Sequence, residues 1–257
     1  MVICEVRRLG LVAYREAWGL QKQLAAKRAA DLIPDTLLLL EHPHTYTFGR
    51  SGHAENLLWG ESELAQRGVT VEWVDRGGDV TYHGPGQVVG YPILKVGVPV
   101  GEGGRIPQAN YVGYVRKLEE MIIRTLAHFG LVTGQLAGVT GVFVHPDRES
   151  RCAFCAPEKR KAPSKIAAIG VKVDARGVTQ HGFALNVDPE MDYFNGIIGC
   201  GLPDHPAISM AELLGQPPTM NEVMDEVERR FGKVFDREMQ NTTNIKRPSL
   251  ELIEEKP

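Results

Sequence analysis

Apolar and polar positions alternate with two different periods along this chain, and the changes of period mark its elements. Residues 14–30 place Trp18, Leu20, Leu24 and Ala25 among charged neighbours, the spacing of an amphipathic helix. Leu37 to Leu40 form an unbroken apolar run, as a strand buried on both faces requires, with a loop around Pro43 and a second short strand beyond it. The pattern then predicts a short helix at 61–67, a strand at 69–75 in which Val69, Val71 and Trp73 alternate with polar residues, and another strand at 87–96. The clearest helix spans 108–129, where Val112, Val115, Leu118, Ile122, Leu126 and Phe129 recur at spacings of three and four, and Gly130 ends it. Strands follow at 138–144, 165–173 and 181–187, and residues 219–235 form a closing helix with Val223, Val227 and Phe231 on one face. Strands cluster instead of alternating one by one with helices. That predicts an α+β fold built on a mixed, largely antiparallel sheet flanked by helices.

Composition narrows the picture only a little. With 257 residues, 43% hydrophobic and 24% charged, the chain has the make-up of a soluble globular protein. Its 29 Lys and Arg against 32 Asp and Glu leave a net charge of −3, which argues against a surface built for nucleic acid. No stretch reaches the roughly 18 apolar residues of a membrane span, and the opening residues lack a basic region followed by an apolar run, so a cytoplasmic location and no membrane contact are expected. Four cysteines (Cys4, Cys152, Cys155, Cys200) are too few and too scattered for a disulfide framework.

One segment departs from ordinary patterning. Residues 76–87, "RGGDVTYHGPGQ", hold four glycines beside Arg76, Thr81, Tyr82, His83 and Gln87, directly after a predicted strand. Glycine lets a ligand approach main-chain N–H groups that a Cβ would shield. The phosphate-loop pattern GxxxxGK[ST] is absent, and no GxGxxG opens a helix. A tight hairpin would also use the glycines, but it would not gather so many hydrogen-bonding side chains in so short a span.

Extended to "RGGDVTYHGPGQVVGYPIL", the segment resembles the signature of the lipoyl(octanoyl) transferase family, met at Arg76, Gly77, Gly78, Thr81, Tyr82, His83, Gly86, Gln87 and Tyr91. "KIAAIGVKV" from Lys165, "HGFALNV" from His181 and "IIGCGL" around Cys200 agree in order and spacing, so the resemblance covers residues 5–235. It implies a biotin/lipoate protein ligase-like fold and a single catalytic domain over 1–237, with an insertion at 145–164 and a flexible tail at 238–257. The implied activity moves an octanoyl group from octanoyl-acyl carrier protein to a lysine of lipoyl domains, those of 2-oxoacid dehydrogenases and the glycine cleavage H protein. This is the first step of endogenous protein lipoylation, and it implies no cofactor and no metal.

The resemblance further implies a Cys–Lys dyad, with Cys200 as the acyl-thioester nucleophile and Lys165 as its partner. A nearby ammonium favours the thiolate, which is the attacking species. Lys165, once neutral, would take the proton of the incoming lysine. The acyl site is expected along Arg76, Gly77, Gly78, Asp79, Val80, Thr81, Tyr82 and His83, completed by Ala168, Ile169 and Gly170 and by Gly182, Phe183 and Ala184. Each buried methylene contributes about 0.8 kcal/mol, so eight carbons are favoured over four by about 3 kcal/mol. His83 and His181 are either site residues or neutral histidines tying strands together. Two other readings stay open: an ATP-dependent lipoate or biotin-type ligase on the same fold, and a noncatalytic module that binds the acyl carrier.

The insertion is where the chain departs from the family. "HPDRESRCAFCAPEKRKAPS" contains Cys152 and Cys155 in a CxxC, half of a complete zinc site with only His145 nearby, which leaves structural zinc, a redox or disulfide pair and a plain surface insertion as readings. From 148 to 165, Arg148, Arg151, Lys159, Arg160, Lys161 and Lys165 stand against Glu149 and Glu158, a basic strip suited to an acidic carrier protein, or simply a solvated loop.

Overall fold

A computed structural model describes residues 2–97, 108–146, 162–201 and 204–241, without the side chains of 108–110 and Cys200. The expected CxxC, the basic strip from Arg148 to Lys161 and residues 242–257 therefore lie outside the described residues. The first strand, β1 (Val2–Leu11), went unpredicted, because only Cys4 and Val6 of its ten residues are fully buried. It lies parallel to β2 (Asp35–Glu41), whose Leu37 to Leu40 are completely buried as their unbroken run requires. Helix α1 (Tyr14–Ala29) crosses between them.

The main sheet continues through β6 (Gln87–Ile93), β10 (Thr179–Asn186), β9 (Ser164–Val173), β8 (Val139–Val144) and β7 (Gly134–Leu136), each antiparallel to the next. Its far edge is β11 (Arg237–Asn241), parallel to β1. The eight strands run in the order β11-β1-β2-β6-β10-β9-β8-β7. Residues 238–241, assigned to the tail from sequence, thus belong to the sheet: their alternation is too short to stand out, and pairing with β1 supplies the order. The α+β class holds, with a mixed and mostly antiparallel sheet.

Helices cover both faces. On one, α3 (Gln108–His128) and α5 (Met220–Phe235) pack Leu118, Met121, Ile122, Leu126, Val223, Val227 and Phe231 into the larger core. On the other, Ala17, Leu24 and Ala25 of α1 meet Leu38, Leu40, Val89 and Tyr91. The ends of α5 are set locally: Thr219 and Glu222 form a capping box, and Asp236 closes it in the left-handed region at φ 54°. A shorter helix, α4 (Met210–Leu214), has the same box from Ser209 and Glu212.

A second sheet of three strands carries the glycine-rich segment. Its order is β4 (Thr70–Trp73), β3 (Thr45–Phe48), β5 (Val80–His83). Tyr46, Phe48, Val80 and Tyr82 form its core beneath the short helix α2 (Glu61–Gln66). In β4, Trp73 turns outward and lies flat on Phe48 with ring centroids 4.5 Å apart, while Glu72 points inward and takes the Arg15 guanidinium at 2.7 Å.

Candidate active site

Two neighbouring cavities open where the small sheet meets β9 and β10. The larger has a volume of about 370 Å³ and is walled by Lys165, Gly199, Asn186, His205, Phe194 and Met191, among others. The smaller, about 40 Å³, is lined by Tyr14, Arg76, Gly77, Gly78, Thr81, His83, Tyr91, the triplet Ala168–Gly170, His181 and the triplet Gly182–Ala184. Thr81 and Ala168 belong to both walls. The two triplets, twelve or more residues apart in sequence, are opposed in the β9–β10 ladder: Gly182 faces Gly170, Phe183 faces Ile169 and Ala184 faces Ala168.

Most of the sequence-predicted acyl-site residues are therefore together, but three are not on either wall. Val80 and Tyr82 are fully buried and hold the small sheet together. Strand alternation sends their side chains away from the cavity that Thr81 and His83 face. Asp79 is a bracket: its carboxylate accepts from the His53 and Val80 N–H groups at 3.0 and 2.7 Å, from Asn56 Nδ2 at 2.6 Å, and pairs with His53 Nδ1 at 3.1 Å. The Asn56 carbonyl in turn accepts the Ile198 N–H at 2.9 Å, and Leu58 N–H donates to Gly196 O at 2.8 Å. This ties the glycine-rich segment to the turn Gly199–Gly201, which carries Cys200. A Cβ on Gly201 would stand 3.3 Å from Asp79 Oδ2, so the turn rests directly against the bracket. The Cys200 side chain itself lies outside what is described.

Lys165 is fixed at the start of β9. Its N–H donates to Pro206 O at 2.8 Å and its carbonyl accepts the Ile208 N–H at 3.0 Å. Its Nζ stands 5.3 Å from the centre of the Phe143 ring, a cation–π arrangement. Gly141, at φ 132°, lets the lysine stem pass: a Cβ there would lie 3.4 Å from Lys165 Cε and 2.9 Å from Ala167 O. Asn186, which sequence reasoning passed over, knits the same wall, accepting from Gln87 Nε2 at 2.8 Å and donating to Ile208 O at 2.9 Å. The signal was there: a polar residue closes a strand whose eight residues are all buried.

The smaller cavity is surrounded by buried polar groups. The Arg76 guanidinium donates to Thr47 Oγ1 at 2.9 Å, to the Thr47 carbonyl and to Gly77 O at 2.9 Å. Burial holds His83 well below the ordinary imidazole range, so it is neutral, and its Nδ1 has no protein partner among the described residues. His181 adopts the left-handed conformation at φ 56°, held by its N–H donating to Gln21 Oε1 at 2.7 Å. Its Nε2–H donates to Asp75 Oδ1 at 2.8 Å, since a carboxylate only accepts, and Nδ1 then takes the Tyr14 hydroxyl at 3.3 Å. Burial lowers the His181 pKa and keeps that tautomer, while the hydrogen bond from His181 holds Asp75 below the carboxylate range. His181 thus ties α1, β10 and the segment before Arg76 together.

The described residues contain no group of three or more His, Cys, Asp or Glu side chains placed to hold a metal ion, and no helix among them is long and apolar enough to cross a membrane. Lys165, the turn Gly199–Gly201 and the two-chambered cleft thus come together on one end of the mixed sheet. Residues 13–232 match the lipoyl protein ligase A/B catalytic domain family. An octanoyltransferase of Chloroflexus aurantiacus is 46% identical over 230 residues, covering 90% of this chain and 93% of that one. One from Solibacter usitatus is 44% identical over 236 residues, covering 92% and 94%. Among solved structures, a bi-partite lipoate protein ligase from Thermoplasma acidophilum superposes with a TM-score of 0.64 at 12% identity, over 95% of this chain and 87% of that one. Lipoate-protein ligase A bound with ATP gives 0.60 at 14%, over 95% and 90%. At those identities the structural likeness speaks for the fold alone. The chain is an acyltransferase and belongs to the lipoyl protein ligase A/B catalytic domain family.

Proposed function

We propose that the protein transfers an octanoyl group from octanoyl-acyl carrier protein to the lysine amine of a lipoyl domain, through a thioester on Cys200. The observation that carries this reading is that Lys165 and Gly199, the neighbour of Cys200, wall one cavity. The names of the octanoyltransferase relatives support the acyl group. In the first half-reaction the Cys200 thiolate attacks the donor thioester carbonyl and the carrier's thiol leaves, one thioester exchanged for another without ATP. In the second, the acceptor amine attacks the Cys200 thioester and the sulfur departs. That amine has a pKa near 10.4 in water, so it must shed a proton first, which neutral Lys165 accepts.

In this reading the acyl chain runs from the larger cavity past Thr81 and Ala168 into the smaller one, between Gly77, Gly78, Ile169, Gly170, Gly182 and Phe183. Asp79, Val80 and Tyr82 serve it from behind, as bracket and core. Intact-protein mass spectrometry after mixing with octanoyl-acyl carrier protein tests it. Wild type is expected to gain one octanoyl group and pass it to an apo lipoyl domain without ATP, Cys200→Ala to gain none, and Lys165→Ala to discharge slowly. Transfer only when ATP is supplied would place the chain with the ligases instead.

A further inference from the structure

The proposed reaction has a proton to dispose of. The acceptor amine enters as an ammonium with three N–H bonds and leaves as an amide with one. The departing Cys200 sulfur takes up at most one of the two protons shed, so at least one leaves the cavity in every turnover. Lys165 can keep only one proton between cycles, held beside the Cys200 thiolate until the carrier's departing thiolate takes it, so the other needs a separate way out.

Among the described residues walling the larger cavity, Lys165 and His205 are the ionisable side chains. His205 is half-buried on the segment that follows the Cys200 turn, so it touches both the cavity and solvent. Its Nδ1 lies 3.1 Å from Pro163 O, and since a carbonyl only accepts, Nδ1 carries the hydrogen and Nε2 is left with its lone pair. The ring stands edge-on to Phe143 with centroids 5.8 Å apart, and the same Phe143 ring lies 5.3 Å from Lys165 Nζ. The backbone reinforces the pairing, with Lys165 bridged to Ala207 two residues beyond the histidine.

We infer that His205 is the proton outlet of the acyl-transfer site, a relay that accepts through Nε2 the proton released at Lys165 and hands it to solvent. The inference rests on the acyl-cysteine reading above. In balance, neutral Lys165 takes two protons in turn: the one taken as the N–C bond forms and the C–S bond breaks stays on it beside the Cys200 thiolate until the carrier's departing thiolate removes it in the next loading, and the one taken earlier, from the entering ammonium, is released. It then crosses the cavity to Nε2, by way of a water molecule or the bound amine, and the resulting imidazolium loses it to bulk water. Imidazole is suited to this because it exchanges protons near neutral pH. The groups described against the ring are Phe143 of β8 and Pro163 ahead of β9, while Lys165 of β9 shares its cavity and Asp204 precedes it in the chain.

The test separates the two half-reactions in the full-length enzyme. His205→Asn can still donate to Pro163 O but has no second nitrogen, and His205→Gln is the companion in case the first folds poorly. Loading of Cys200 from octanoyl-acyl carrier protein should match wild type. Discharge of the isolated acyl-enzyme onto an apo lipoyl domain should slow by about 10²-fold, within the usual range for general acid–base groups. The pH profile of discharge should change shape from that of wild type, and added imidazole should restore the rate in proportion to its concentration. Discharge at the wild-type rate with an unchanged pH profile would overturn the inference. So would equal loss in both half-reactions without rescue, which marks a structural role. If wild type forms no acyl-enzyme at all, the parent reading fails, and this is seen before any His205 variant is made.

Discussion

Asp79 offers the sharpest test of how the glycine-rich segment supports the cysteine turn. Asp79→Ala deletes an acceptor used by two backbone N–H groups, the Asn56 amide and the His53 ring. His53 is exposed, so its groups regain water, whereas Val80 is fully buried and its N–H is left without a partner. An orphaned buried donor costs about 1–3 kcal/mol, and the half-buried Asn56 amide adds a smaller share, for a total of about 2–4 kcal/mol. At about 2–4 °C per kcal/mol for a domain of this size, the melting temperature should fall by about 10 °C. Because Asn56 also accepts the Ile198 N–H, the turn bearing Cys200 loses its tether, and octanoyl loading should slow more than stability alone accounts for below the melting transition. Differential scanning calorimetry gives the first number. Time-resolved intact-protein mass spectrometry of octanoyl loading gives the second. A variant that melts within 1–2 °C of wild type and loads octanoyl at the wild-type rate would refute the bracket.

Two further outcomes follow from the same geometry. A Cβ at Gly182 would lie 2.0 Å from Gly90 O and 2.8 Å from Pro92 Cδ, so Gly182→Ala should lose about 3 kcal/mol or more in urea unfolding, while Gly77→Ala, 3.4 Å from Val171 O, should fold normally. Asp75 has its folded pKa lowered from 3.8, chiefly by the His181 hydrogen bond and also by Lys172, so its contribution is complete above that value and drains away as pH falls below it. Acid titration of stability should therefore be steeper for wild type than for Asp75→Asn below about pH 4, and parallel curves would dismiss the ion pair as a contributor.

What the sequence determined alone is whatever depends on near neighbours. Periodicity fixed the faces of α3 and α5, since helical spacing alone decides which of Leu118, Ile122, Leu126, Val223 and Val227 turn inward. The unbroken run of Leu37 to Leu40 sufficed for a central strand, and the glycine-rich motif together with the segments at Lys165, His181 and Cys200 carried the family resemblance. Only the tertiary structure decided relations that cross the chain. β1 draws its order from β2 and β11, and β11 from β1, not from an apolar pattern of their own. Asp79, indistinguishable in sequence from a wall residue, became a bracket because Asn56 and the turn after Ile198 fold back against it. His205 reaches the cavity because Pro206 and Ile208 hydrogen-bond to Lys165, some forty residues earlier in the chain. Hydrogen bonds and burial between distant segments leave no periodic trace, so Lys165 and Cys200 stood out through the family resemblance, while the groups packed around their segments were found only once the strands had met.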